Sequence, residues 1–149
     1  MTALVVVTED DAFATAIRAL AGADLSVDLS VTGAELSITC VHAEEAIASA
    51  RHDRPDLVAV DTDSVRDSRS LIGALSLLTQ ARIVAMSHQA WPTSRAAGEW
   101  RMAGADAILP KPSGHASPTL AGPDRDDYRS WFIAFAGRSA DDIAREAAP

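Results

Sequence analysis

The chain has 149 residues, enough for one domain with a sizeable core, and 48% of them are hydrophobic. Its formal net charge of −8 argues against nucleic acid or an anionic membrane as partner, because both call for basic patches. A single cysteine, Cys40, excludes an internal disulfide, and no Cys/His spacing suits a zinc site.

The N-terminus "MTALVVVTEDDAF" has too short an apolar run for a signal peptide or a membrane span, so a cytoplasmic protein is expected. "ALVVV" (3–7) is β-branched without alternation, the pattern of a strand buried on both faces of a parallel sheet. "EDDAFATAIRALAG" (9–22) places Phe13, Ile17 and Leu20 at helical spacing and stops at Gly22. Residues 24–41 alternate in two halves about a "TG" turn. The half at 36–41 is read as the sheet strand, and 24–34 as an insertion, either an edge strand or an extended loop.

The spacing then predicts a helix over 42–55, a buried strand over 56–61, a polar loop over 62–68 and a helix over 70–80. A third buried strand over 82–87, a short helix over 95–104 and a strand over 106–110 follow. A Pro/Gly/Ser loop spans 111–123, and an amphipathic segment with Tyr128, Trp131, Phe132 and Phe135 on one side spans 124–138. These divide the chain into a domain over 1–138 and a helical tail over 139–149, capped by Ser139. Strands alternating with helices give an α/β fold with a parallel sheet covered on both faces.

Ligands of such sheets sit at the carboxyl ends of the strands. That edge should gather Thr8, Glu9 and Asp10 after the first strand, Asp61 after the third, Ser87 after the fourth and Lys111 after the fifth. Lys111 is the sole lysine beside twelve arginines. A compact ammonium on a flexible stem suits a site that a planar guanidinium does not. A carboxylate can accept a phosphoryl group, acids with a loop carbonyl can hold Mg²⁺, and a hydroxyl with a lysine can bind the remaining oxygens. For each residue a plain role competes. Asp61 could cap a turn, Glu9 could serve the helix macrodipole, Ser87 could bond backbone and Lys111 could be a solvated loop lysine. Ser87–His88 lacks the glycines of a nucleophile elbow, so a hydrolase is disfavoured. His42, His52 and His115 read as surface or capping residues, Cys40 as a small buried hydrophobe, and Trp91 as the tryptophan most exposed for an interface.

The series "LVVVTEDDAF … DLVAVD … RIVAMS … GADAILPKP" resembles the receiver domain of two-component response regulators over roughly residues 3–112. "LPKPSG" is also similar to the receivers of chemotaxis methylesterases. The resemblance implies a flavodoxin-like sandwich with strand order 2-1-3-4-5. It implies Asp61 as phosphoryl acceptor, Ser87 and Lys111 as the groups that register the phosphoryl, and Glu9, Asp10 and Asp61 as ligands of Mg²⁺. It implies a sensor histidine kinase or phosphotransfer protein as donor and a downstream signalling protein as output, without enzymatic activity beyond turnover of the phosphoryl group. Receivers often pair through their last helices and strands, which leaves a homodimer open. The chain departs from the family at Thr8, where an acid is usual, at His88, where a small residue is usual, at Ile108, where an aromatic is usual, and in the loop "TDSVRDSRS". Those departures favour an alternative: a pseudo-receiver that keeps the fold as a docking module and signals by binding alone.

Overall fold

The protein is known from a computed structural model that describes residues 2–22, 36–88 and 94–111. The readings for 24–34, Trp91 and everything beyond Lys111 lie outside the described residues. The elements run β1 (Thr2–Val7), α1 (Asp11–Gly22), β2 (Leu36–Val41), a 3-10 turn (Ala43–Glu45), α2 (Ala46–Asp53) and β3 (Leu57–Asp61). They continue as α3 (Ser68–Leu78), β4 (Arg82–Ser87), α4 (Arg95–Ala103) and β5 (Ala107–Pro110).

The five strands form one sheet in the order β2-β1-β3-β4-β5, as the resemblance implies, and every pairing is parallel. The reason lies in the β-branched runs. All five residues of β3 are buried, and so are five of six in β4, because helices or their connections cover both faces. Leu4, Val6, Leu57, Ala59, Val84 and Met86 face α1, where Phe13 and Ile17 meet them. The alternate residues Val5, Val7, Val58, Val60, Ile83 and Ala85 face Ala46 and Ala50 of α2 and Ile72 and Leu75 of α3. Each large aliphatic side chain so buried contributes about 1.5 to 3 kcal/mol.

The helices differ slightly from the sequence reading. α1 starts at Asp11 rather than at Glu9, because the Asp10 carboxylate caps it, accepting from the Phe13 N–H at 3.1 Å. The first turn of the expected 42–55 helix is a separate 3-10 turn, and α2 proper ends where Arg54 takes a left-handed conformation with φ 48°. Ser94 caps α4 through the Ala97 N–H at 3.0 Å, and Gly104 ends α4 with φ 130°. A Cβ at Gly104 would lie 2.6 Å from Ser76 Cβ, so shape and backbone both require glycine there.

Backbone bonds carry the sheet one residue past its strands at the carboxyl edge. Thr8 N–H donates to the Val41 carbonyl (3.1 Å), Thr62 N–H to Met86 (3.0 Å) and Lys111 N–H to Ser87 (2.9 Å). Thr8, Asp61, Ser87 and Lys111 are thereby fixed side by side.

Candidate functional site

Asp61 ends β3 with none of its surface exposed. A buried carboxylate is costly unless it is paired and hydrogen-bonded. Here Oδ2 accepts from the Thr8 hydroxyl at 2.7 Å, the Ser64 hydroxyl at 2.8 Å and Lys111 Nζ at 3.0 Å. Oδ1 accepts from the Asp63 N–H at 3.2 Å. The two hydroxyl oxygens in turn accept backbone N–H groups, Asp10 to Thr8 at 3.0 Å and Glu9 to Ser64 at 2.9 Å. Ser64 reaches inward because the chain folds sharply after β3, with the Ser64 and Val65 N–H groups both bonded to the Asp61 carbonyl and Val65 buried in the core.

Lys111 is the cation of this cluster, and its side chain is only 8% exposed. Besides Asp61 it has Asp10 Oδ2 at 3.6 Å, and its ammonium lies 4.7 Å from the centroid of the Phe13 ring. A point charge on a thin stem can sit between two carboxylates over an aromatic face, where a guanidinium fork demands more room. This is the physical use of the sole lysine.

The other expected residues are placed differently. Glu9 does not face Asp61. Its Oε1 accepts from the Ala43 N–H at 2.8 Å and its Oε2 lies 2.9 Å from His42 Nδ1, so it ties the end of β1 to the start of the 3-10 turn. The Ala43 N–H first, then His42, hold the Glu9 carboxyl below its usual range, and Glu9 in turn raises the His42 imidazole. The Ser87 hydroxyl has one proton, and that proton goes to Asp63 Oδ1 at 3.0 Å rather than to Asp61. His88 turns to the same carboxylate, its N–H at 3.0 Å and its Nδ1 at 2.7 Å from Asp63 Oδ2. Ile108 is half-buried and packs against the core on the α2–α4 side. Cys40 is half-buried, with its thiol 3.7 Å from the Ala14 carbonyl, and burial raises its pKa. Two participants were missed in the sequence, Ser64 and Asp63. The signal available was the spacing Asp61-x-Asp63-Ser64, in which a tight turn returns both side chains to the strand end.

The donor set also answers whether a divalent cation fits. Mg²⁺ takes one or two carboxylates and keeps several waters. Asp61 and Asp10 are the two carboxylates that flank one point, and the Lys111 ammonium holds that point. Glu9 and Asp63 are engaged elsewhere. Among the described residues no three of His, Cys, Asp and Glu come together to hold a metal ion. As arranged, these residues do not fit Mg²⁺.

No model of a known protein family matches the chain, and no curated protein matches it in sequence. Solved structures do. The response regulator domain of CheB from Thermotoga maritima superposes with a TM-score of 0.69 at 11% identity, covering 95% of this chain and 97% of that one. The REC domain of AraT, a response regulator from Geobacillus stearothermophilus, gives 0.60 at 17% identity, covering 99% and 98%. A response regulator from Burkholderia pseudomallei, solved with a phosphorylated aspartic acid, a calcium ion and citrate, gives 0.62 at 24% identity, covering 99% of this chain and 74% of that one. At these identities the likeness is one of fold. No described helix is long and apolar enough to cross a membrane. The strand order 2-1-3-4-5, the flanking helices and these superpositions together give the chain the receiver-domain fold of response regulators.

Proposed function

We propose that this chain is a receiver module of two-component signalling that acts by binding proteins, with the charge of Asp61 neutralised from within. The observation that carries this reading is the coordination of Asp61. Three donors converge on one oxygen of a carboxylate with no exposed surface, and the nearest cation position is filled by Lys111. Thr8, which stands where the family has an acid, serves as one of those donors. Its partners in this reading are a histidine kinase or phosphotransfer protein on the input side and a downstream signalling protein on the output side. The setting is cytoplasmic and no enzymatic activity is proposed.

The second reading is phosphoryl acceptance on Asp61. It is favoured by Lys111 Nζ at 3.0 Å from the carboxylate, at the strand edge where ligands of parallel sheets bind. In this reading Oδ1, which accepts the Asp63 N–H at 3.2 Å, is the oxygen that attacks while Oδ2 keeps its donors, and Mg²⁺ would need acids that are now bonded elsewhere.

Intact mass after incubation with acetyl phosphate and Mg²⁺, beside Asp61→Ala, separates the two. No mass gain in the folded protein is expected. A phosphoryl-sized gain in the parent that is absent in Asp61→Ala would establish the second reading instead.

A further inference from the structure

Asp63 stands two residues beyond Asp61, in the tight turn that follows β3. Its carboxylate is 18% exposed and collects three donors from one short stretch of the fourth strand's end. The Ser87 hydroxyl donates to Oδ1 at 3.0 Å, while the His88 backbone N–H at 3.0 Å and the His88 imidazole at 2.7 Å meet Oδ2. Burial by itself would raise this carboxyl. The His88 side chain, the His88 backbone and the Ser87 hydroxyl outweigh that and leave it below its usual range. A hydroxyl, an amide and an imidazole converging on two oxygens make an oxyanion site, since the same donors suit phosphate oxygens as well as carboxylate oxygens.

We infer that Asp63 is a resident anion at the carboxyl edge: its carboxylate, held by the Ser87 hydroxyl and by the amide and imidazole of His88, occupies the place that the resemblance gives to phosphoryl oxygens. The inference rests on the reading of the chain as a receiver that works without phosphorylation, and it says how. The hydroxyl expected to register a phosphoryl group is already satisfied by a carboxylate from the chain itself. The edge thus carries its own cation in Lys111 and its own anion in Asp63. Removing the Asp63 carboxylate should open the site to inorganic phosphate.

The test is a titration of ¹⁵N-labelled protein with sodium phosphate, followed at the Ser87 and His88 amides. Sodium chloride at matched ionic strength serves as control. In Asp63→Ala the His88 amide is expected to shift saturably with phosphate. Asp63→Ala/Ser87→Ala should lose most of that shift, and the parent should show none. Asp63→Asn, nearly isosteric, is measured alongside in case the alanine variant does not fold, and it should respond more weakly in the same direction. Equal saturable shifts in the parent and the variant would overturn the inference, because the site would then not be occupied. So would a folded Asp63→Ala or Asp63→Asn that ignores phosphate, because the donors would then not form an oxyanion site. The readout does not pass through Asp61. A parent that becomes phosphorylated on Asp61 yet shows this pattern at His88 would remove the binding-only reading and leave the Asp63 site standing.

Discussion

The two ends of the sheet use aspartate in opposite ways. At the amino end, Asp56 precedes β3 and accepts the Ala3 N–H at 2.8 Å, while Asp106 precedes β5 and accepts the Ile83 N–H at 2.8 Å. Each carboxylate takes a neutral amide from the neighbouring strand and acts as one more rung of the ladder. They are separated by a strand, so no cation is needed between them. An open groove lined by Arg51, Arg54, Arg82, Asp56 and Asp106 leaves this end in contact with water. At the carboxyl end, Asp10, Asp61 and Asp63 lie close together, Asp61 is fully buried, and Lys111 and His88 are drawn in against them. The same residue type is a local clamp where acids are dispersed and a charge cluster where topology gathers them. Burial raises the stakes of the second arrangement, because an uncompensated charge there has no water to fall back on.

The largest test of that contrast is Lys111→Met. It leaves the Asp61 carboxylate buried without its cation and should cost about 3 to 5 kcal/mol in urea unfolding. Adding Asp61→Asn should return much of that loss. A Lys111→Met change within experimental scatter would mean the pair is not a buried one, and the contrast would fail. Gly104→Ala, beside the amino-end groove, should cost about 2 kcal/mol, because it forces a side chain into a left-handed backbone against Ser76. Asp56→Asn and Asp106→Asn should each cost only about 1 kcal/mol by the same assay, since each weakens a single bond to an amide. If either approached the Lys111 value, the two ends would not differ in kind.

The smallest effect concerns Glu9 and His42, both exposed on the carboxyl end. His42 is held charged above its ordinary value, so its share of the contact is full below about pH 6.5 and is lost as pH rises through the raised folded value. Glu9 contributes fully above about pH 4.3 and loses its share as pH falls through its lowered folded value. The contact is therefore strongest between those limits. Glu9→Gln should move the His42 titration midpoint, followed by NMR, downward, with little change in stability. An unmoved midpoint would place the cause of the His42 shift elsewhere.

The strands were legible because β-branched runs such as "LVAVD" and "RIVAM" have few other uses than a doubly covered sheet. Once they were placed, Asp61 and Lys111 shared one edge, since strand order brings the ends of β3 and β5 to either side of β4, and the long lysine side chain spans that gap to reach Asp61 at 3.0 Å. The side-chain pairing within the edge was not legible. Ser87 was expected to register a phosphoryl group at this edge; its proton goes to Asp63, whose position depends on a tight turn that reads in sequence only as a polar loop. Glu9 was expected to face the cluster, but its partners come from the connection after β2, more than thirty residues away. Hydrophobic periodicity carries the scaffold. The choice among several nearby hydroxyls and carboxylates is made by loop paths that periodicity does not encode.

A titration with magnesium chloride, read from the amides of Thr8 to Asp10 and Asp61 to Asp63, addresses the filled carboxyl edge most directly. The parent is expected to show no saturable shift at millimolar Mg²⁺, while Lys111→Met, if folded, gains one as the cation position opens. A saturable shift in the parent confined to those amides would contradict the claim that Lys111 already serves as the cation of this edge.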